Sequence, residues 1–349
     1  MRALVTGSTG LLGSFLVEAL RAEGHEVRAL ARPTSDLAPL RELGIEVVFG
    51  DLGDAASLKR AVGGAEVIFH TAARMNDWGP WEVFHRENVL GTRHLLDAAL
   101  AHGVERFVHV SSTGVTGLDP VLDVDESAPY SAEGHYEESK VASEQVVLDY
   151  QRTRGLPAVV VRPCWTLGPR ARRYIPLMIQ YLERGQLVVL GSGRNRLSFV
   201  DPRDAVAAMV LAAEAPAAVG QIYHVTNGSR EETQLDLFRL LAEELGVPPP
   251  RLHLPFAAAY LAGWIGERWA LARRWDDAPM LTPVRVKFVG LARTFDISKA
   301  RRELGYEPRF GLGQSLRDAV AWYREAERPA PYNARVFAAP AAVGDGGSR

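Results

Sequence analysis

The chain has 349 residues, a formal net charge of -2 at pH 7, and ordinary proportions of hydrophobic (47%) and charged (23%) residues. This near-neutral balance gives no electrostatic reason to expect a nucleic-acid partner. Cys164 is the only cysteine, which excludes an intramolecular disulfide and a multi-thiolate metal site, and the histidine spacing predicts no metal. Because the chain opens without a signal-peptide pattern and has no apolar run of membrane-spanning length, we expect a cytoplasmic protein.

Short apolar segments alternate with helical patterns through the first half of the chain. Segments such as Val67-Ile68-Phe69 are apolar at every position, as expected for strands of a sheet that is covered on both faces. Repeated β-α-β units imply a parallel sheet with right-handed crossovers. The predicted strands are 2–6, 26–31, 46–49, 66–70, 106–111 and 158–162, followed by two scattered strands at 187–190 and 222–225. The pattern therefore predicts an α/β fold with a doubly wound parallel sheet.

A glycine-rich loop at residues 6–13 lies between the first predicted strand and a predicted helix at 11–22. Glycines let the backbone turn tightly and approach a pyrophosphate, and the helix N-terminus offers free N–H groups to that anion. The spacing is G-x-x-G-x-x-G, and a merely structural turn is the alternative, but its place in a β-α-β unit favours a Rossmann-type dinucleotide site. The predicted contacts in this loop are Thr6, Gly7, Thr9, Gly10, Leu11, Leu12 and Gly13.

The residues after the second and third strands indicate which dinucleotide is bound. Ala31 stands where an NAD-preferring site places an acid for the ribose 2′-hydroxyl, and Arg32 follows it. Because an arginine can pair with a 2′-phosphate and stack on adenine, we predict NADP(H), with NAD(H) and a merely solvated Arg32 as the alternatives. Asp51 and Leu52 can reach the adenine edge, and the alternative for Asp51 is a helix N-cap.

Tyr136 and Lys140 are four residues apart in a long helical stretch, so they lie on one helix face. We expect the Lys140 ammonium to bond the nicotinamide ribose and to lower the pKa of Tyr136 from its usual value of about 10. The phenol can then transfer the proton that accompanies hydride transfer at a carbonyl carbon. A serine at the carboxyl end of the strand at 106–111 would point into the ligand crevice and hold the substrate oxygen.

With these residues in place, the chain resembles the extended branch of the short-chain dehydrogenase/reductase family. The resemblance extends to His70-Thr71-Ala72-Ala73, Asn88-Val89-Leu90-Gly91-Thr92, Ser111-Ser112-Thr113-Gly114-Val115, Arg162-Pro163 and Phe199-Val200-Asp201. It implies that Ser112 rather than Ser111 is the catalytic serine beside Tyr136 and Lys140, with Asn88 as a buttress. It also implies a homodimer through the helices that begin near Asn88 and Tyr136. The cofactor contacts that it implies are Thr71, Ala72, Ala73, Val110 and Pro163.

The loop Asn76-Asp77-Trp78-Gly79-Pro80-Trp81 is similar to that of 3β-hydroxysteroid dehydrogenase-like proteins, which include 2-alkyl-3-oxoalkanoate reductases. This similarity implies an apolar ketone or secondary alcohol as the substrate. Arg194 and Arg196 also suit the diphosphate of a nucleotide sugar. The aromatic-rich segment 254–272 is predicted to be a helix that roofs the substrate, lies at a membrane interface or packs in the core. The predicted substrate contacts are Trp78, Thr113, Trp165 and Arg196.

These patterns divide the chain into two parts. Residues 1–165, with returning segments near 186–226, are predicted to form the NADP(H)-binding Rossmann domain. Residues 166–326 are predicted to form a smaller, mostly helical substrate-binding subdomain, and residues 327–349 a flexible tail. The predicted function is NAD(P)H-dependent interconversion of a ketone and a secondary alcohol on an apolar substrate. The alternatives are a sugar-nucleotide epimerase or dehydratase with tightly bound NAD, and a non-catalytic NADP-binding regulator.

Overall fold

The computed structural model describes residues 1–326 as alternating strands and helices. The strands are β1 Arg2–Thr6, β2 Glu26–Ala31, β3 Glu46–Phe49, β4 Val67–His70, β5 Arg106–Val110, β6 Val121–Val124, β7 Ala158–Pro163, β8 Trp165–Thr166, β9 Val189–Leu190, β10 Phe199–Val200, β11 Ile222–Val225, β12 His253–Leu254 and β13 Arg293–Phe295. The α-helices are α1 Leu11–Ala22, α2 Ala38–Glu42, α3 Ala55–Val62, α4 Trp81–Phe84, α5 Gly91–Ala101, α6 His135–Arg154, α7 Ile175–Glu183, α8 Pro202–Glu214, α9 Gln234–Leu245, α10 Phe256–Ala272, α11 Pro283–Gly290, α12 Ser298–Leu304 and α13 Leu312–Glu325. None of these helices has the length and apolar character needed to cross a bilayer.

Seven parallel strands form the central sheet in the order β3-β2-β1-β4-β5-β7-β11. The chain builds outward from β1 in one direction and then, from β4, in the other. The strand order therefore reverses between β1 and β4, and ligands of such sheets bind in the crevice beyond the carboxyl ends of the strands at this point. The predicted doubly wound, Rossmann-like sheet is confirmed.

Both faces of the sheet are covered, because successive side chains of a strand point to opposite faces. In β1, Val5 belongs to the apolar cluster beneath α1, α8 and α12, whereas Leu4 belongs to the cluster beneath α3, α5 and α6. Phe69 and Ile68 divide between the two clusters in the same way. This double burial explains why the strands read as unbroken apolar runs.

A second, smaller core forms where α7, α9 and α13 pack together, with Ile179, Leu237 and Leu316 fully buried at its centre. The structure has a strand at Val189–Leu190, within the predicted range 187–190. This strand, β9, pairs with β12, and only β11 of the segment 186–226 joins the large sheet. The apolar run predicted a strand but carried no information on its partner, which lies more than 60 residues later in the chain. The predicted tail at 327–349 lies outside the described residues.

Candidate active site

The glycine loop fits a dinucleotide pyrophosphate. Gly7 has φ +69°, and a β-carbon there would lie 2.7 Å from the Ala72 backbone nitrogen. A β-carbon on Gly13 would collide with the Gly7 carbonyl oxygen, so neither position accepts a side chain. No side chain caps the N-terminus of α1, whose N-cap residue is Gly10. The first N–H groups of α1 are therefore available to an anion.

An open cavity of about 420 Å³ lies beside the carboxyl ends of β2 and β3. Arg32 lines it, and Arg60 from α3 adds a second guanidinium that the sequence pattern gave no reason to expect. Asp51 also lines the cavity, and its Oδ1 accepts from the Gly53 N–H at 2.8 Å. The helix N-cap is Asp54 instead, which accepts from Ala56. The N-cap alternative for Asp51 is therefore wrong.

Two of the predicted catalytic residues, Ser112 and Lys140, lie at the carboxyl end of β5. Ser112 begins a 3-10 turn, Thr113–Thr116, and its partly exposed hydroxyl accepts from the Gly114 N–H at 3.1 Å. Ser111 is buried against the sheet, which leaves Ser112 as the serine open to the crevice. Tyr136 lies in the first turn of α6, and Lys140, one turn later, donates from Nζ to the Val110 carbonyl at 2.6 Å.

The electrostatics of the pair differ from the prediction. Burial and the neighbouring Glu137 raise the pKa of Tyr136 well above its usual value, and Arg173 rather than Lys140 opposes that rise. Burial lowers the pKa of Lys140 to about 8, although Glu144 acts in the opposite direction. The expected direction is wrong because the Lys140 ammonium is bound to the Val110 carbonyl and burial disfavours the charged phenolate. Tyr136 is therefore a protonated phenol near neutral pH, ready to donate.

Asn88 joins the loop after β4 to α6. It lies in a π-helical turn, His85–Leu90, between α4 and α5, a feature that often occurs at functional sites. Its Oδ1 accepts from the Arg74 N–H at 2.7 Å, and its Nδ2 donates to the Ser139 hydroxyl at 2.8 Å. The loop after β4 is thereby tied to the helix that carries Tyr136.

An aromatic cluster surrounds Trp165. The Trp165 ring lies 4.9 Å from the Phe288 ring and 5.5 Å from the Tyr174 ring, measured between centroids. Trp165 Nε1 is buried and makes no hydrogen bond within the described residues. Of the four predicted substrate contacts, Trp165 belongs to this cluster. The signal for Tyr174 and Phe288 was absent from the sequence, because they come from the turn before α7 and from α11.

An ionic clamp closes the same region. Asp77, in the loop after β4, accepts from Arg285 at 2.5 Å and 3.0 Å across 208 residues, and it also pairs with Arg173 at 2.8 Å. Burial raises the pKa of Asp77, but these two guanidinium groups outweigh burial and lower it. The ionised Asp77 carboxylate and the two guanidinium groups hold the loop after β4 against the smaller subdomain.

The other predicted substrate residues lie in different surroundings. Trp78 Nε1 donates to the Trp275 carbonyl at 2.9 Å, so it joins the loop after β4 to the segment after α10. Thr113 is buried directly behind Ser112. Arg196 is half-exposed and pairs with Glu231 at 3.2 Å. Within residues 1–326, no cluster of His, Cys, Asp and Glu could hold a metal ion.

The aromatic helix α10 presents most of its large side chains to solvent. Only Ala259, Gly263 and Ala270 are buried. A β-carbon on Gly263 would already lie 3.0 Å from the Thr282 backbone, so the backbone of the helix packs closely at this point. Close packing on small residues leaves most of the bulky ones outside, whereas Phe256 and Tyr260 pack against the small cluster of Leu190, Ala259 and Val286. The half-exposed side chains are Leu261, Trp264, Ile265, Trp269 and Leu271.

Comparison with known proteins agrees with this geometry. The model of the NAD dependent epimerase/dehydratase family matches residues 3–226. The chain belongs to that family. It is 32% identical to 2-alkyl-3-oxoalkanoate reductase of Stenotrophomonas maltophilia over 91% of this chain and 98% of the relative. It is 30% identical to 3-beta-hydroxysteroid dehydrogenase of Mycolicibacterium neoaurum, over 93% and 92%.

A solved structure shows the same relationship. The dTDP-glucose 4,6-dehydratase DesIV of Streptomyces venezuelae, which contains NAD, has a TM-score of 0.76 and 31% identity to this chain. The match covers 93% of this chain and 97% of DesIV. The predicted membership of the extended short-chain dehydrogenase/reductase branch is confirmed, and so is the predicted class of oxidoreductases that act on CH–OH groups.

Proposed function

We propose that this protein is an NADP(H)-dependent enzyme that interconverts an apolar ketone and the corresponding secondary alcohol. The observation that carries the proposal is the placement of Tyr136 and Lys140 one turn apart on α6, with Lys140 Nζ bound to the Val110 carbonyl at the carboxyl end of β5. We assign the aromatic cluster of Trp165, Tyr174 and Phe288 to the substrate side, which suits an apolar molecule. The two named relatives act on an oxoalkanoate and a steroid, and both names support such a substrate.

The residues of the crevice have separate roles in this reaction. The nicotinamide supplies or accepts the hydride when it is bound. Ser112 donates a hydrogen bond to the substrate oxygen, and Tyr136 gives that oxygen its proton during reduction. Lys140 exchanges its bond to the Val110 carbonyl for one to the nicotinamide ribose, while the loop around Gly7 and the N-terminus of α1 hold the pyrophosphate.

A substrate screen with the purified protein tests the proposal. NADPH oxidation is measured with 3-ketosteroids, with 3-oxoacyl compounds and with nucleotide sugars. We expect turnover on an apolar ketone. Copurifying NAD with turnover only on a nucleotide sugar would establish the epimerase or dehydratase alternative. The names of the family and of DesIV support that alternative. Tight NADPH binding without turnover on any substrate would establish the regulator.

We propose that Arg32 selects NADP(H) by pairing with the 2′-phosphate. Both Arg32 and Arg60 line the cavity beside β2 and β3, so two cations face a phosphate there. Replacing Arg32 with alanine is expected to raise the KM for NADPH about 10- to 100-fold, the effect of one lost charge-assisted hydrogen bond, with little change for NADH. Arg21→Ala, in the exposed last turn of α1, is the matched control. An unchanged KM for NADPH in Arg32→Ala would remove Arg32 from the site.

We propose that α10 docks the protein to an anionic membrane surface. The exposed aromatic and aliphatic side chains of this helix are accompanied by exposed Arg268, Arg273 and Arg274. The Arg268 guanidinium lies 5.6 Å from the Trp264 ring centroid, and Arg273 lies 5.4 Å from that of Trp269. Tryptophan and arginine side by side suit the headgroup region of a bilayer.

Flotation with vesicles tests this docking. We expect binding to vesicles with phosphatidylserine, weaker binding to pure phosphatidylcholine, and at least about a tenfold loss in Trp264→Ser/Trp269→Ser. Val121→Ser, another exposed apolar position, is the control. Absence of vesicle binding would overturn the proposal. Sedimentation of the same proteins shows whether a second copy covers α10 instead. The homodimer through α5 and α6 stays a prediction, which the same sedimentation experiment tests.

A further inference from the structure

A network of buried hydrogen bonds joins the strand before the glycine loop to the helix that carries Tyr136. It begins at Thr6, the last residue of β1. The Thr6 hydroxyl accepts from the Ala72 N–H at 3.3 Å and lies 2.8 Å from Nδ1 of His70, the last residue of β4. On the other side of the ring, His70 Nε2 lies 2.9 Å from the hydroxyl of Thr92 in α5. The imidazole therefore bridges β1 and α5.

The network continues from α5 to α6 through Asn88. The Thr92 hydroxyl donates to the Asn88 carbonyl at 2.6 Å. The Asn88 side-chain amide donates to the Ser139 hydroxyl at 2.8 Å, and this hydroxyl donates to the Tyr136 carbonyl at 2.7 Å. The five side chains that form these links are each at most 2% exposed. The network therefore runs inside the protein from the end of β1 to the first turn of α6.

The directions of these hydrogen bonds fix the position of the His70 proton. A hydroxyl has one hydrogen, and Thr92 gives its hydrogen to the Asn88 carbonyl, which can only accept. Thr92 must therefore accept from the N–H at His70 Nε2. Burial and the Lys140 ammonium lower the pKa of His70 to about 3, so the ring is neutral near pH 7 and Nδ1 has no hydrogen. Nδ1 accepts from the Thr6 hydroxyl, and one tautomer alone satisfies the whole network.

Filling the core does not by itself explain this network. An apolar side chain at position 70 would need no partners, and Ile68 and Phe69 fill the two positions before it in that way. The two ends of the network lie at places that the proposed reaction uses. Thr6 leads into the glycine loop, and Ser139 is bound to the backbone of the turn that carries Tyr136. A buried network whose donors and acceptors are all paired is rigid, and it specifies one arrangement of the elements that it joins.

We propose that His70 is a positioning residue, which acts through this network to fix the Tyr136 phenol relative to the bound nicotinamide. The role rests on the proposed function, because it requires proton transfer from Tyr136. In that reaction the hydride and the proton reach the two atoms of one C=O bond, so the cofactor and the phenol must keep a fixed separation. The glycine loop holds the cofactor, α6 holds the phenol, and the network joins the two. A displacement of about 1 Å in such a geometry can cost about 100-fold in rate.

The tautomer is measured first, on the wild-type protein, so that this result does not depend on the stability of a network variant. The protein is labelled with ¹⁵N-histidine, and long-range ¹H–¹⁵N correlation spectra at neutral pH distinguish a protonated ring nitrogen from an unprotonated one. The His70 signals are those that are absent from the spectrum of His70→Gln. We expect the hydrogen on Nε2, both in the free protein and with NADP⁺ bound. A hydrogen on Nδ1, or a mixture of tautomers, would overturn the inference, because the donor from His70 to Thr92 would be lost.

The effect on catalysis is measured by breaking the link between His70 and Asn88. Thr92→Val keeps the shape of the side chain and removes its hydroxyl, and Thr92→Ser restores a hydroxyl. Thr226→Val is the matched control, because Thr226 is fully buried after the edge strand β11 and its hydroxyl accepts from the Gly228 N–H at 2.9 Å. For the wild-type protein and the three variants, kcat and the KM for NADPH are measured with the substrate that the screen identifies, and stability is measured by urea unfolding.

We expect Thr92→Val to lower kcat about 10- to 100-fold with little change in the KM for NADPH, and Thr92→Ser to recover most of that loss. Thr226→Val should lose a similar amount of stability and keep its kcat, which separates positioning from a general loss of structure. Equal kcat in Thr92→Val and Thr226→Val, or no recovery in Thr92→Ser, would overturn the inference and leave the proposed function standing. Absence of turnover by the wild-type protein on every substrate of the screen would overturn the proposed function, and the inference with it.

Discussion

Tyr136→Phe is expected to lower kcat for ketone reduction by about 10²- to 10⁴-fold, the usual contribution of a positioned general acid. The variant removes the proton donor and keeps the aromatic ring in its place. Burial holds the Tyr136 phenol in its protonated form. Phenylalanine has no group that could donate a proton from the same position. Initial rates of NADPH oxidation with the ketone found in the screen measure the effect.

The matched control for this prediction is Tyr150→Phe on the same helix. Tyr150 donates to Asp97 at 2.8 Å, on the side of α6 away from the crevice, so the rates of that variant should remain close to wild type. NADPH binding by Tyr136→Phe, followed by quenching of tryptophan fluorescence, should also be retained. Turnover by Tyr136→Phe at the rate of the control would exclude Tyr136 as the proton donor.

Arg162→Met is expected to lower the free energy of unfolding by about 3–5 kcal/mol, the cost of leaving a buried charge without its partner. Arg162 and Glu144 are almost wholly buried between β7 and α6, 2.5 Å apart at their closest atoms. Tyr130 donates a further hydrogen bond to the same carboxylate at 2.9 Å. Because Glu144 lies one turn beyond Lys140 on α6, we also expect reduced activity at temperatures where the variant is still folded.

Urea unfolding at neutral pH measures this loss, and two variants control it. Arg152→Met removes an exposed arginine of α6 whose one ion pair within residues 1–326 is with Asp149, so its effect should stay within about 1 kcal/mol. The double variant Arg162→Met/Glu144→Leu removes both charges and should recover part of the lost stability. A single-variant loss no larger than that of Arg152→Met would contradict the prediction.

The sequence by itself determined the sheet and the position of the catalytic groups along the chain. Strands such as β1 and β4 were predicted to be buried because most of their residues are apolar on both faces. A strand followed by a glycine loop and a helix is typical of a dinucleotide site. Local spacing also placed Tyr136 and Lys140 on one face of α6. The apolar runs and the helix spacing are patterns of neighbouring residues, so both are visible without a structure.

Only the tertiary structure decided the charge states and the partners. The direction of the Tyr136 pKa follows from burial and from Glu137 and Arg173, and the clamp on Asp77 joins residues 208 positions apart. The pairing of β9 with β12 and the exposure of α10 likewise depend on which distant segments pack together. Burial and long-range contacts set these properties, because the energy of a charge depends on all groups around it, whatever their place in the sequence.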